Sequence, residues 1–250
     1  VFHLRAGDAS YVLCSFHGFL LHLYAGEAIS DDDVTYLLVK VGHDSVVPRP
    51  ADTPEGWFSC DVAPFEYPAF GTGDFRPSAV MVKAQTKSEV QSAAAPNTAL
   101  RYDSYDLIPG KPVLDKCPAV HANEEECDTL VLHCSDSASG MEYDLYYSVM
   151  RDLPAICRRT VIRNKTKADA HILRAYSASV DFTTVDPDAQ LLHLWGTWGR
   201  ERHAERTPLC HGSVSVSSRR GASSHHHNPF AALVTSETTE EHGMAFGISL

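Results

Sequence analysis

Apolar and polar residues alternate along most of this chain. The segment Tyr143–Met150 carries apolar residues at every second position, and Val214 and Val216 alternate with serines. A period of two is typical of β-strands that bury one face. The spacing that is typical of helices occurs only in one short, weak segment, Thr86–Ala95. The pattern therefore predicts an all-β protein with few or no helices.

Further strand candidates are separated by clusters of Gly, Pro, Asp and Asn, which favour turns. They are Tyr11–Phe16, Leu20–Tyr24, Thr35–Val41, Thr129–Cys134, Ile156–Arg163, His171–Phe182, Leu191–Trp195 and the final Ala245–Leu250. The intervals between them are too short for the helical crossovers of a parallel sheet. We therefore expect antiparallel sheets packed face to face. The wholly apolar run Tyr36–Val39 predicts a strand that is buried on both faces.

Composition narrows the possible partners. The chain has 250 residues, with 21 Lys and Arg against 32 Asp and Glu, and a formal net charge of −11. This balance argues against a nucleic acid or an anionic membrane as partner. Its apolar stretches are far shorter than the ~20 residues that cross a bilayer. A cytoplasmic protein is favoured, although secretion stays possible because the chain begins at Val1 and resembles a fragment. We expect one domain over residues 1–250, truncated near its last strand.

Cysteine and histidine patterns give little support for a metal site. The seven cysteines are odd in number and widely spaced, so most are predicted to be buried thiols. His225–His227 is a triple histidine, but adjacent side chains of an extended strand point to opposite faces. A polar turn, closed by Asn228-Pro229, is the favoured interpretation. We expect neither a metal nor another cofactor, and no motif for a catalytic nucleophile is present.

A long loop between Pro48 and Ala84 is rich in aromatic residues, among them Trp57. Long loops inside compact domains are usually functional or contact another domain. Its most distinctive part contains Asp74 and Arg76 behind two glycines. If that part is extended, the two side chains face the same side. They either contact sugar hydroxyls or form an ion pair that closes their own turn.

A second aromatic group lies near the end of the chain. Trp195 and Trp198 surround a glycine and precede Arg200 and Arg202. Exposed tryptophans can stack on a sugar face, but a pair of them more often packs in a domain interface with charged residues at its rim. We therefore assign these four residues to structure or to an interface.

Several motifs together resemble the N-terminal domain of glycoside hydrolase family 36, the bacterial and fungal α-galactosidases. The resemblance covers essentially the whole chain, and the two most specific motifs are the Asp-Phe-Arg loop and the Trp-x-Arg-Glu-Arg run. The matching stretches, in chain order, are Phe2–Leu4, Ser10-Tyr11, Leu20–Gly26, Glu66–Pro68, Gly71–Arg76, Gly110–Pro112, Thr129-Leu130, Tyr147–Val149, Ile162–Asn164, Ser179–Phe182, Gly196–Arg202 and Arg220–His225.

The resemblance implies a fold and a role. The fold is a large antiparallel β-supersandwich of the galactose mutarotase type. In that family a following (β/α)8 barrel carries both catalytic aspartates, which act by double displacement with retention. Neither barrel motif occurs here, so the resemblance implies a non-catalytic domain that supports the barrel, the homo-oligomer and the rim of an α-galactoside pocket. The rim residues would be Asp74, Arg76 and Trp57, and Trp195, Trp198, Arg200 and Arg202 would be structural or face the barrel.

Two alternatives stay open from the sequence. The chain is either part of an enzyme that removes terminal α-galactosyl residues from oligosaccharides such as raffinose and melibiose, or a free-standing lectin-like β-sandwich. The choice between an α-galactoside and an α-N-acetylgalactosaminide as substrate depends on barrel residues that these 250 residues do not contain.

Overall fold

The structure is a computed structural model, which describes residues 1–38, 53, 58–71, 73–84, 97–115, 119–182, 186–220 and 226–249. The chain divides into two compact units, Val1–Thr183 and Thr184–Leu250. Each unit has its own sheets and is described by itself.

The described residues form thirteen strands and one short 3₁₀ helix, Thr35–Leu37. The strands of the first unit are β1 (Phe2–Ala6), β2 (Ala9–Phe16), β3 (Phe19–Glu27), β4 (Val80–Ala84), β5 (Arg101–Pro109), β6 (Cys127–Asp136), β7 (Met141–Met150), β8 (Ile156–Asn164) and β9 (Ala170–Ala175). Those of the second unit are β10 (Gln190–Thr197), β11 (Arg200–Pro208), β12 (His226–Val234) and β13 (Ala245–Ser249).

All strand ladders are antiparallel, and this confirms the predicted fold class. The first unit contains a three-stranded sheet (β1-β2-β3), a four-stranded sheet (β5-β6-β7-β8) and the pair β4-β9. The second unit contains one four-stranded sheet in the order β11-β10-β12-β13. No helix among the described residues has the length and apolar character that a membrane crossing requires.

The hairpin of β2 and β3 is buried on both faces. Its two-residue turn, His17-Gly18, has φ angles of 48° and 76°, which suit the right-handed twist of the strands. Tyr11 and Leu13 of β2 face the main core, whereas Val12 belongs to a second cluster on the opposite face. The mostly apolar sequence of this hairpin has its cause here, since both of its faces pack against apolar clusters.

The main core lies between the three-stranded and four-stranded sheets. Alternate residues of β6 and β7 point into it, as their alternating sequence predicts. The fully buried members include Leu132, Tyr143, Leu145 and Tyr147. Burial of four large side chains from two adjacent strands is what fixes their register, because a slip by one residue would turn all of them outward.

The predicted strand Thr35–Val41, buried on both faces, is wrong where it is described. Residues Thr35–Leu37 form the 3₁₀ helix, and Tyr36 is 76% exposed. The physical reason is local: the carboxylate of Asp33 accepts a hydrogen bond from the backbone N–H of Thr35 at 2.9 Å, which stabilises a turn instead of an extended chain. Residues 39–41 lie outside the described residues.

Three other predictions need correction, and two more concern residues outside the description. Residues 213–217 form no strand, because two valines among serines give too little apolar surface to hold a strand on a sheet. Strand β9 ends at Ala175, well before Phe182. The predicted turn at Asn228-Pro229 is instead an irregularity inside β12, where the register against β10 shifts, because proline cannot donate to the ladder. The helix candidate Thr86–Ala95 and His225 lie outside the described residues.

The prediction of buried thiols is confirmed for most of the described cysteines. Cys14, Cys60, Cys127 and Cys134 are buried, Cys157 is half-buried and Cys210 is exposed. Cys117 lies outside the described residues.

Candidate functional site

The segment from Ala63 to Phe70 runs between β3 and β4 and is held by backbone hydrogen bonds on both sides. On the β3 side, the N–H of His22 donates to Pro64 O at 2.7 Å and the N–H of Glu66 donates to Leu20 O at 3.0 Å. On the β4 side, the N–H of Ala79 donates to Pro68 O at 2.7 Å. The stretch that the sequence presents as a loop is therefore bonded to the sheets at its base.

The carboxylate of Glu66 is completely buried at this base. Tyr11 donates its hydroxyl to both oxygens, at 2.7 and 2.8 Å, and Tyr147 donates to Oε1 at 2.7 Å. His22 Nδ1 lies 3.1 Å from Oε2, and Arg158 Nη2 lies 2.9 Å from Oε1. Because an ionised carboxylate only accepts hydrogen bonds, His22 must carry a proton on Nδ1.

Arg158 completes this group of five side chains, which we call the Glu66 cluster. Its Nη1 donates to the hydroxyl of Tyr11 at 3.1 Å, and its guanidinium carbon lies 3.8 Å from the centroid of the Tyr147 ring. The contact with the ring is a cation–π interaction, which is strongest where water is absent. Glu66 and Arg158 compensate each other's charge, and this is what permits two ions in the core.

The electrostatics of the cluster keep these two residues charged. Burial opposes ionisation of Glu66, but Arg158 and the hydrogen bond from His22 hold the pKa of its carboxyl below the ordinary value. Burial, with the nearby Glu66 carboxylate, raises the pKa of Tyr11 and Tyr147 well above 10, so both phenols stay protonated and donate. A carboxylate with no exposure, hydrogen-bonded by three side chains and paired with the charge of a fourth, has no access to a substrate. Its role is structural.

Asp74 and Arg76 form a bidentate ion pair. Asp74 Oδ1 accepts from Arg76 Nε at 2.9 Å and from its backbone N–H at 3.0 Å, while Oδ2 accepts from Nη2 at 3.1 Å. The turn before the pair uses Gly71 and Gly73 with φ of 101° and 89°, a region that favours glycine. Of the two sequence alternatives, the geometry is that of an ion pair that closes its own turn.

The side chains of this pair differ in accessibility. The side chain of Asp74 is 3% exposed, and that of Arg76 is 33% exposed. Arg76 Nη2 also donates to Ala63 O at 2.6 Å, and Nη1 lies 3.5 Å from the Asp181 carboxylate. Phe75, between the two charged residues, is 78% exposed. The turn therefore presents an aromatic ring and one face of a guanidinium to solvent and directs the carboxylate inward.

A small pocket lies beneath the turn. Its volume is about 30 Å³, room for about two water molecules and far too little for a sugar ring. Its lining residues are Phe19, Leu20, Phe65, Tyr67, Ala69, Asp74, Thr98 and Leu100. The pocket explains where the Asp74 carboxylate points, but it offers no binding site for a saccharide.

The other predicted site residues do not join this group. Trp57 lies outside the described residues. In the second unit, Trp195 stacks on His203 with ring centroids 5.1 Å apart, and Trp198 is 86% exposed at the turn of the β10–β11 hairpin. Arg200 and Arg202 are exposed on β11. An exposed tryptophan at a hairpin tip is compatible with the predicted interface role, which stays a prediction.

A second ionic group, which we call the Asp144 cluster, lies on β5 to β8. His133 Nδ1 contacts Asp144 at 2.8 Å, its Nε2 contacts Asp106 at 3.0 Å, and Arg163 pairs with Asp144. Burial opposes ionisation of Asp144, yet its partners His133 and Arg163 lower its pKa, and hydrogen bonds to the two aspartates raise the pKa of His133 despite its partial burial.

Sequence reasoning missed the functional meaning of the Glu66 cluster. In the sequence, Glu66 belongs to a family motif alone, whereas Tyr11, His22 and Tyr147 belong both to family motifs and to predicted strands, and none of these patterns assigns them a shared role. The one signal available was an acidic residue between aromatic residues, in a segment that is otherwise apolar. That signal points to burial but names no partner.

Comparison with known proteins assigns the chain to a family. Residues 18–250 match the Glycosyl hydrolase family 36 N-terminal domain. The chain is 40% identical over 250 residues to alpha-galactosidase AgaA of Geobacillus stearothermophilus, covering 99% of the chain and 33% of AgaA. It is 36% identical over 231 residues to the bifunctional alpha-galactosidase/sucrose kinase AgaSK of Mediterraneibacter gnavus, covering 92% of the chain and 24% of AgaSK.

Solved structures agree with the sequence matches. A crystal structure of an AgaA variant from Geobacillus stearothermophilus in complex with raffinose superposes with a TM-score of 0.87 at 39% identity, covering 98% of this chain and 33% of that one. The galactosidase domain of AgaSK gives a TM-score of 0.88 at 33% identity, with 98% and 33% covered. The chain thus spans about a third of the length of AgaA and of the galactosidase domain of AgaSK, and about a quarter of the whole of AgaSK. It belongs to glycosyl hydrolase family 36, whose N-terminal domain it matches over residues 18–250.

Proposed function

We propose that the chain is the non-catalytic N-terminal part of a retaining α-galactosidase that acts on terminal α-galactosyl residues of oligosaccharides. The observation that carries this proposal is the match of almost the whole chain to one third of AgaA, which has been crystallised with raffinose. The two reacting carboxylates of double displacement would then lie in the remaining two thirds.

The loop of Asp74 and Arg76 supplies the proposed contact with the substrate pocket. Its exposed face consists of Phe75 and part of Arg76, while Asp74 holds Arg76 in place from below. A ring and a guanidinium are groups that pack against and hydrogen-bond to a sugar. We propose that this face, together with Trp57, lies at the rim of the pocket.

The second unit supplies the proposed contact with the rest of the enzyme. Trp198 stands at the tip of a hairpin, and the neighbouring Trp195, Arg200 and Arg202 lie along β10 and β11. Large exposed aromatic side chains are enriched where proteins associate, and arginine is enriched with them. We propose that this hairpin contacts the barrel or a second copy of the enzyme.

An activity assay tests the assignment. The 250-residue chain alone should not hydrolyse an aryl α-galactoside, whereas the chain joined to the remaining two thirds of AgaA should. Turnover by the isolated chain that survives repurification would overturn the non-catalytic role. Tight galactoside binding by the isolated chain, measured by calorimetry, would instead support the free-standing lectin-like alternative.

A further inference from the structure

We infer that Glu66 is a positioning residue, whose buried carboxylate fixes the rim loop (residues 69–76) and the neighbouring segment Tyr176–Phe182 in one arrangement. The kinetic consequence of this inference rests on the proposed function, but the structural consequence does not.

The Glu66 cluster ties one loop residue to both sheets of the first unit. Tyr11 and His22 come from β2 and β3 of the three-stranded sheet, and Tyr147 and Arg158 come from β7 and β8 of the four-stranded sheet. The carboxylate is therefore a buried link between two layers and the segment that leads into the loop. Apolar packing alone would not hold this segment at a single orientation so strictly, because hydrogen bonds are directional.

Two residues, Tyr67 and Arg76, connect the segment around Glu66 to the rim loop and to Tyr176–Phe182. Tyr67, adjacent to Glu66, donates its hydroxyl to Tyr176 O at 2.7 Å, and the N–H of Tyr176 donates to Ala79 O at 2.9 Å. Arg76 spans the loop, from Ala63 O at its base to the Asp181 carboxylate. Tyr176 is thus bonded directly to the short stretch that Glu66 anchors, and Asp181 is connected to it through Arg76.

No other side chain both accepts the hydrogen bonds of the three donor partners and supplies the counter-charge of Arg158. Glutamine has one acceptor oxygen and an amide that only donates, and it leaves the Arg158 guanidinium buried without a counter-charge. An apolar residue leaves both tyrosine hydroxyls and His22 without their acceptor, and Arg158 without its counter-charge. We therefore expect any substitution of Glu66 to loosen its segment, even where the fold survives.

The experiment uses the chain joined to the remaining two thirds of AgaA. Hydrogen–deuterium exchange and kinetics are measured on three variants: Glu66→Gln, Tyr147→Phe, which removes a single hydrogen bond to Glu66, and the control Met150→Ala. Met150 is buried in a separate small cluster with Ala122 and Cys127. Its truncation should lower the melting temperature without touching the Glu66 cluster.

We expect Glu66→Gln to raise exchange selectively in residues 63–79 and 176–182, and Tyr147→Phe to do so less, while the control leaves these peptides as in the parent. The parallel loss in kcat/KM for Glu66→Gln should be about tenfold, and the control should keep its kcat/KM. If Glu66→Gln does not fold, the exchange and the kcat/KM of Tyr147→Phe, compared with those of the control, test the inference.

Equal exchange of these peptides in the control and in both cluster variants would overturn the inference. Increased exchange with unchanged kcat/KM would support the positioning role and contradict the proposed rim function. The failure of the inference and that of the proposed function therefore give different results.

Discussion

The Glu66 and Asp144 clusters of the first unit contain similar groups and differ in how far water reaches them. Glu66 and Arg158 are enclosed between two sheets, whereas the Asp144 cluster has His133 and Arg163 partly in solvent. Screening by water makes exposed ion pairs weak, and desolvation makes a broken buried pair costly. We therefore expect the ion pair of the Glu66 cluster to contribute strongly to the stability of its segment, and those of the Asp144 cluster to contribute little to the stability of the four-stranded sheet.

The largest effect should follow when the buried pair is broken. Arg158→Met removes the only cation that faces Glu66 in the cluster and leaves a carboxylate enclosed in the core. We expect a loss of about 3–5 kcal/mol in the free energy of unfolding, measured by urea denaturation. A loss below ~1 kcal/mol would show that water enters the cluster, and the contrast between the two clusters would disappear.

The second prediction tests whether the stability lost in Arg158→Met comes from the Glu66 carboxylate, which this substitution leaves buried without a counter-charge. Combining Glu66→Gln with Arg158→Met removes both ions, so the double variant should be more stable than the sum of the single losses implies, by about 0.5–3 kcal/mol. A double-mutant cycle on urea midpoints measures this coupling. Strict additivity would mean that the two residues act independently, against the 2.9 Å contact.

The equivalent break in the Asp144 cluster should cost less. Asp144→Asn keeps the size of the side chain and some of its hydrogen bonds, and the partners His133 and Arg163 can turn toward water. We expect a loss of about 1 kcal/mol in the same urea experiment. A loss as large as that of Arg158→Met would mean that burial does not explain the contrast.

Sequence and structure agree most closely where the cause is local. Alternation in β6 and β7 predicts their buried faces. The spacing of Asp74 and Arg76 predicts only that the two side chains lie on the same side if the chain is extended, and leaves open whether they contact a sugar or each other. In the structure they pair with each other. In the Glu66 cluster, the four partners of Glu66 lie 44 to 92 positions from it in the sequence. Its contacts depend on how two sheets pack, and no pattern in a single sequence encodes that.

A similar limit explains the error at Tyr36. An apolar run predicts a doubly buried strand, and the chain contains one in the β2–β3 hairpin, but composition alone does not say which run lies between two layers. At Tyr36 the carboxylate of Asp33 stabilises a turn instead. The short-range hydrogen bond is stronger than the weak strand preference of three residues.

The two clusters also differ in how their contribution to the free energy of unfolding depends on pH. The lowered pKa of Asp144 contributes stability above its unfolded-state pKa, and this contribution is lost as pH falls through the folded-state value. The raised pKa of His133 acts in the opposite sense: its contribution is complete below about pH 6.5 and is lost as pH rises through the folded-state value.

We therefore expect the urea midpoint to fall as pH rises from about 6 to 8, and His133→Gln to remove this part of the slope. Glu66, Tyr11 and Tyr147 add no such component at neutral pH, because the pKa of Glu66 is lowered and those of both tyrosines are raised. An unchanged slope in His133→Gln would assign the dependence to another group.

The smallest effects concern the ion pair of the rim loop. Asp74→Ala releases the Arg76 side chain and removes its turn-closing hydrogen bonds, so we expect the free energy of unfolding to fall by about 1 kcal/mol. Arg76→Ala should lower the free energy of unfolding by a similar amount.

The kinetic effect is measured in the chain joined to the rest of AgaA. If the loop lies at the pocket rim, both variants should lose kcat/KM by a similar factor. The reason is that Asp74, whose side chain is 3% exposed, cannot itself reach a sugar and acts through Arg76. Phe75→Ala is the matched variant, since it removes the exposed ring and keeps the ion pair. Unchanged kinetics in all three variants, with stability lowered only by Asp74→Ala and Arg76→Ala, would make the pair a turn closure alone and would place the substrate elsewhere.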